Sequence, residues 1–304
     1  MINIISSCTN SKKKIPTDIF KIASYESSMS VDDVLELWKK HIYLKEEETH
    51  VAIDLYKGGA WKATLAIKET LLTKFETNLY IASAGYGLIH DSERICAYDT
   101  TFANSTTNSI RKFSNNSTKN DNVFWWDGVN TFDLNTFSEN DYFFIVLPYN
   151  YLYAAQNTVK QLINKFKNKI FIFVANQNKL PLFMSQYVIK IGSKFNNFEP
   201  GVQSNMLQRA VLWLSKEIIA KDISLNKKEL QEHINEAMLK YDSFKMPIRE
   251  KFSEEELYKK IKTLIEQENI PSASKGLKAF RKLGYACEQK RFGRIFKDIK
   301  GTNK

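Results

Sequence analysis

Residues 142–174 read YFFIVLPYNYLYAAQNTVKQLINKFKNKIFIFV. Two continuous apolar runs, Tyr142–Leu147 and Ile170–Val174, flank a stretch in which Leu152, Ala155, Val159, Leu162 and Phe166 recur at helical spacing. Short apolar runs bounded by polar residues suit strands buried on both faces, and helices alternating with such strands imply a parallel, covered sheet. The same kind of run recurs at Ile2–Ile5, Leu79–Ser83 and Tyr187–Ile191. Helical patterns lie over Val31–Leu44, behind Ser30 as N-cap, and over Ala60–Phe75, behind Gly58-Gly59. The first part of the chain is therefore predicted to be α/β, a mostly parallel sheet covered by helices.

Beyond Gln203 the patterns are helical alone: Gln203–Ala220, Lys227–Tyr241, Glu254–Glu268, Ser274–Leu283 and Cys287–Ile299. Ser253 followed by Glu254, Glu255 and Glu256 spells a capping box, in which hydroxyl and third-position carboxylate satisfy each other's backbone N–H. These patterns divide the chain into an α/β domain over residues 1–220 and an all-helical domain over 221–304. Residues Asn104–Asn122, rich in Asn, Ser and Thr without a period, read as a long surface loop.

The 304 residues are 43% hydrophobic and 13% aromatic, which excludes global disorder. Lys and Arg number 44 against 34 Asp and Glu, a net charge of +10 that favours a polyanionic partner. No run approaches the roughly 20 apolar residues of a membrane span, and the N-terminus enters a strand-like run at once. The expectation is a cytoplasmic protein with no membrane partner. Cys8, Cys96 and Cys287 are odd in number and far apart, and the four histidines are scattered, so neither a disulfide framework nor a local metal motif is present. Chemistry without metal or cofactor is expected.

Residues 271–304 carry ten basic side chains against two acidic ones, most of the net charge. Helix, Gly284 at a turn, and helix again is the layout of a helix-turn-helix-like end. Leu277, Phe280, Leu283, Phe292 and Phe296 are placed inward. Lys275, Lys278, Arg281, Gln289, Lys290, Arg291 and Arg294 are placed towards a phosphate backbone or base edges. An ordinary solvated pair of Lys-rich helices has the same composition.

In the α/β domain the polar sets stand where strands end, which is where open α/β sheets bind ligands. Ser6 to Lys14 follows the first strand, and Ser7, Cys8 and Lys12 are candidates to hold a phosphate or sugar; without the glycines of a P-loop or Rossmann turn, ATP and NAD are not indicated. Ser83-Ala84-Gly85-Tyr86-Gly87 ends another strand, with Tyr86 as a stacking platform and Gly87 permitting close approach. Asp99 is the first candidate for a catalytic carboxylate and Asp91 the second. Tyr149 and Asn176 follow later strands and are candidates to contact a base, while Gln203 is among the residues that open the next helix, whose N-terminus is a candidate to hold a phosphate. Each of these residues has a structural alternative as cap, turn or core.

Four segments taken in order, Ile5-Ser6-Ser7-Cys8 with its lysines, Asp54-Leu55-Tyr56-Lys57-Gly58, Ser83-Ala84-Gly85-Tyr86-Gly87-Leu88 and Ala97-Tyr98-Asp99, resemble a bacterial family similar to the DNA-binding YaaA proteins and to the uracil-DNA-glycosylase-like domain of archaeosine synthases. The resemblance covers about residues 1–105. The chain departs from it at Gly85, where Lys is usual, and at Ala97, where Pro is usual. It implies a glycosylase-like α/β domain that handles nucleobases, and some relatives look like phage-defence glycosylases.

The sequence thus points to a DNA glycosylase that excises a modified base, such as glucosylated hydroxymethylcytosine of phage DNA, from double-stranded DNA. A covalent route through a Lys nucleophile among Lys12–Lys14, a non-catalytic nucleic-acid-binding protein, and a base-exchange or nucleoside-processing enzyme acting on RNA stand beside it.

Overall fold

The computed structural model describes residues 1–44, 48–104, 106–113, 120–175, 180–245 and 247–302. Its strands are β1 (Ile2–Ser7), β2 (Thr49–Val51), β3 (Thr77–Ser83), β4 (Gly87–His90), β5 (Arg94–Cys96), β6 (Tyr142–Val146), β7 (Ile170–Val174) and β8 (Val188–Lys190). Its helices are α1 (Val31–Leu44), α2 (Ala52–Leu55), α3 (Gly59–Leu72), α4 (Asn120–Val129), α5 (Tyr149–Ala154), α6 (Gln156–Phe166), α7 (Phe195–Phe198), α8 (Met206–Lys221), α9 (Lys227–Ala237), α10 (Glu254–Glu268), α11 (Ala273–Lys282) and α12 (Gln289–Thr302). No helix among the described residues is long and apolar enough to cross a membrane.

Six strands form one sheet in the order β4-β3-β1-β6-β7-β8, parallel throughout except for the β3–β4 hairpin. All five apolar runs became strands of it, which bears out the mostly parallel α/β reading. β1 is central, paired with β3 on one edge and β6 on the other. Helices cover both faces. Ser6 Oγ lies 3.0 Å from Thr64 Oγ1 on α3, while the Phe143 and Phe166 rings meet at 4.5 Å, bringing α6 onto β6. Ser6 registers with Val146, three positions from Phe143, so alternation along the strands sends the two contacts to opposite faces. Phe143, Phe144, Phe171 and Phe173 are fully buried at the sheet centre, each worth about 2–3 kcal/mol of burial.

Several local expectations are corrected. The helix expected over Tyr151–Phe166 begins earlier and breaks at Ala155, although all five residues of its apolar stripe are buried. The segment 104–122 is not simply a surface loop: Asn108, Ser109, Ile110, Phe113 and Asn122 are buried, and Ile110–Phe113 forms a 3₁₀ turn. α4 was not anticipated, although Trp125, Trp126 and Val129 give it a buried face at helical spacing.

The chain divides into two compact units, Met1–Phe244 and Lys245–Lys304, not at residue 220. α9 belongs to the first, because Leu230, Ile234 and Met238 join the same core as Ile218 of α8, and Trp213 stacks on His233 at 5.6 Å. The second unit is all-helical, with α10 opened by the expected capping box: Ser253 N donates to Glu256 Oε2 at 3.0 Å and Glu256 N to Ser253 Oγ at 3.3 Å. Leu277, Phe280, Phe292 and Phe296 pack inward as expected, joined by Ile295 and Ile299, whereas Leu283 at the end of α11 is 54% exposed. The segment 283–288 between α11 and α12 is longer than the three or four residues of a helix-turn-helix turn and holds Tyr285 in a bridge with Glu250.

Limited trypsin digestion is expected to cut first at Lys240, Lys245, Arg249 or Lys251, between the units, and to spare Lys221. Early cleavage at Lys221, mapped by mass spectrometry, would place the boundary before α9 instead.

Candidate functional site

Taken in chain order, the five parallel strands lie second, first, third, fourth, fifth, so the winding direction reverses between β1 and β6. A crevice opens outside the carboxyl ends of strands at such a reversal. The cavity found there measures about 750 Å³ and is lined by residues 7–11 after β1, 147–149 after β6, 174–175 after β7, 57–60 at the start of α3 and 203–208 (without 205) at the start of α8. Among the described residues its lining holds hydroxyls, amides, Lys57 and the Cys8 thiol, and neither carboxylate nor imidazole.

Two helices begin at this cavity. Gly58, at φ +109, turns the chain into α3, and neither Gly58 nor Asn205, the residues before α3 and α8, caps its helix with a side chain. The first N–H groups of α3 lack intrahelical acceptors, which gives this rim partial positive charge, whereas at the start of α8 the Met206 N–H donates to Gln203 O of the preceding 3₁₀ turn. The Lys57 backbone ties α3 to the β1 loop, donating to Ser11 O at 3.0 Å and accepting from Thr9 Oγ1 at 2.9 Å.

Beside the cavity lies a cluster of buried hydroxyls. Ser83 Oγ donates to Tyr98 OH at 2.7 Å, Tyr98 OH lies 3.0 Å from Tyr56 OH, and Cys8 Sγ lies 3.1 Å from Tyr151 OH. Burial first, and the nearby Cys8 second, push the Tyr56, Tyr98 and Tyr151 hydroxyls well above the usual phenol range, so all three stay protonated at neutral pH. The Lys12 ammonium stands 4.1 Å from the centroid of the Tyr98 ring. Burial lowers its pKa, an effect partly opposed by Cys8 and Asp99. Asp99 Oδ1 accepts from Asn108 Nδ2 at 2.5 Å, and the same amide donates to Asn10 Oδ1 at 2.9 Å. Because Asn10 lines the cavity, Asp99 is one residue removed from the rim.

The structure thus brings together much of what the sequence singled out. Ser7, Cys8, Tyr149 and Gln203 line the cavity, while Ser83, Lys12 and Asp99 lie in the adjoining cluster. Lys12 is turned towards aromatic rings and does not line the cavity. Three residues are elsewhere. Asp91 sits at the other end of the β3–β4 pairing from Ser83, roughly 13 Å along the strand, and is ion-paired with Lys68 at 2.5 Å. The Tyr86 ring packs on Tyr98 at 5.4 Å, and its hydroxyl, kept protonated by burial, accepts from Cys96 N at 3.1 Å. Gly87, at φ +72, serves the hairpin: a Cβ there would stand 2.4 Å from Asn130 Cα. A side chain at Gly85 would likewise meet the Tyr98 ring at 2.8 Å. Asn176 lies outside the described residues.

Gln208, Asn108, Tyr56 and Tyr151 join the site without having been singled out as site residues. Gln208 carried a readable signal, an amide on the apolar stripe shared with Val211, Ser215 and Ile218. Asn108 had none, because it acts through a loop contact with residues distant in sequence.

In the second unit, Arg249, Lys278, Arg281, Lys282, Ser274 and Gln289 surround a hollow of about 430 Å³ floored by Leu277. None of these four cations is ion-paired with an acid among the described residues. Lys275 and Lys290 are exposed outside the hollow. Arg291 and Arg294 are both paired with Glu254, the latter at 2.5 Å.

Comparison with known proteins found no match among family models, curated proteins or solved structures.

A buried ammonium favours the neutral form, so between the lowered folded pKa and the unfolded value of 10.5 the unfolded chain holds the extra proton and stability rises with pH. In urea titrations the stability of the wild type relative to Lys12→Met is expected to improve as pH rises from 7 towards 10.5. A difference that stays constant, or moves the other way, would show that the ammonium is not desolvated.

Proposed function

We propose that this protein is a DNA N-glycosylase that draws a nucleobase into the cavity between the ends of β1 and β6 and hydrolyses its bond to the sugar. The observation that carries the reading is the cavity itself, a polar pocket at the sheet's winding reversal, open to two helix N-termini and adjoined by an amide-oriented carboxylate. A base inserted there leaves its sugar at the rim, where Asn10 marks the approach to Asp99. Water adds to C1′ of the sugar and yields its proton to Asp99, while the electron pair of the breaking C–N bond departs with the base.

The cavity volume supports a modified base as substrate. About 750 Å³ lies in the range of sites for drug-sized ligands and exceeds the needs of a bare pyrimidine. This agrees with the modified bases of phage DNA that the resemblance suggests, with antiviral defence as the role and the cytoplasm as the location. The exposed cations of α11 and the hollow beside it are suited to a phosphate backbone. The lack of a carboxylate in the lining favours a second reading, a non-catalytic nucleic-acid-binding protein in which Asp99 only holds Asn108 and the β1 loop.

Incubating the protein with phage DNA carrying hydroxymethylated or glucosylated cytosine, followed by mass spectrometry of released bases and a count of abasic sites, separates the two. On the glycosylase reading Asp99→Asn reduces release by at least a hundredfold and leaves DNA affinity within about threefold. Absence of release by the wild type from any DNA would move the assignment to the binding protein.

The second unit makes its own prediction. Lys278→Ala and Arg281→Ala should each weaken DNA binding and reduce the slope of log K against log salt by about 1, whereas Arg294→Ala should change the slope less because it and Arg291 share Glu254. Equal slopes in all three variants would remove the hollow from the interface.

A further inference from the structure

We infer that the cavity is a nucleotide site in which Gln208 reads the base and the start of α3 holds the phosphate. The inference rests on assigning the cavity to nucleic acid, and it names the residues that would make it selective.

Gln208 is only 6% exposed, yet it lines the cavity, and its amide has no hydrogen-bond partner among the described residues. Four other polar side chains here are engaged: Cys8 with Tyr151, Thr9 with Ser11 and Lys57, Asn10 with Asn108, and Gln203 with Asn196. The amide opens on the cavity instead of on a protein partner, so its donor and its acceptor are both available to a ligand. A ligand engages both if it supplies one acceptor and one donor side by side. Every nucleobase carries such a pair on an edge, and the amide side chain is the group that matches it in two bonds.

The opposite requirement, a place for negative charge, is met at α3. Lys57 lines the cavity with an ammonium that has no ion-pair partner among the described residues, next to the uncapped N–H groups that follow Gly58. Gly58 has open space where a Cβ would stand, so an anion can approach the backbone there. Gly59 lies so close to Asn205 that a Cβ would be 2.8 Å from its Nδ2, which brings the α3 and α8 starts together. Gln208 is in the first turn of α8, so amide and anion site border one cavity.

The test is calorimetric titration of the full chain with the four 2′-deoxynucleoside 5′-monophosphates, with their nucleosides, and with inorganic phosphate as competitor. At least one monophosphate should bind, its nucleoside at least tenfold more weakly, and phosphate should compete. Gln208→Met, which keeps the side chain's length, should weaken the nucleotide at least tenfold and leave phosphate affinity unchanged. Lys57→Ala should weaken nucleotide and phosphate alike. Should Gln208→Met fail to fold, Gln208→Glu keeps the shape and must lose the same affinity, because it replaces the amide donor with an acceptor.

Nucleotide affinity within twofold of wild type in the Gln208 variant overturns the inference. If no mononucleotide binds, the same comparison on a short single-stranded oligonucleotide decides, and an affinity indifferent to Gln208 overturns it. Nucleotide binding that depends on Gln208, without base release from any DNA, would sink the glycosylase reading and leave this one standing. Base release unaffected by Gln208→Met would do the reverse.

Discussion

The first strand of the chain is also the central strand of the sheet, and the rest of the first unit follows from that constraint. β1 is bonded on both edges and buried on both faces, so the chain must cross over to β3 on one side and later return to β6 on the other. The two crossovers diverge at the carboxyl end of β1, and nothing in a parallel sheet closes the space between them. The loop 7–11 therefore emerges into a crevice with α3 starting on one wall and α8 beside it. The position of the candidate site is a consequence of topology before any side chain is chosen.

What side chains add is a contrast between satisfied and unsatisfied polar groups. Tyr56, Tyr98, Ser83, Tyr151 and Cys8 bond to one another in a dry cluster, and their mutual hydrogen bonds let hydroxyls stay buried without charge. That cluster fixes the β1 loop against β3 and α5. Lys12 and Gln208 break the pattern. The first is a desolvated ammonium over the face of an aromatic ring, and the second an amide that opens on the cavity with no hydrogen-bond partner among the described residues. Such groups beside a cavity mark where a ligand can supply interactions that the protein does not make itself.

The second unit carries a related lesson about charge. Its last stretch is strongly basic, but Glu254 at the start of α10 takes up Arg291 and Arg294, while Arg249, Lys278, Arg281 and Lys282 gather around one hollow with no acid among the described residues that line it. Net charge along a stretch of chain measures attraction to a polyanion only after internal pairs are removed. Arg249 lies outside the stretch that looked basic and enters the cluster because residue 250 pairs with residue 285.

The strands, the long helices and the mostly parallel sheet were legible in the sequence because apolar runs and helical spacing are local properties, set by which faces must be buried. Ser253 and its glutamates announced a helix start for the same reason. The short strands β2, β4 and β5 were not legible, since three or four residues carry no period, and α9 was assigned to the wrong unit because its apolar face reveals burial but not the surface that buries it. The motif residues were recognised one by one, yet their company was not. Asp91 and Asp99 read alike as loop carboxylates, and only the fold gave one to Lys68 and the other to Asn108. The sequence by itself determined the elements and the strand ends where polar residues collect. The tertiary structure decided which of those residues share a cavity, because hydrogen bonding, desolvation and charge pairing depend on distances across the fold that no local pattern encodes.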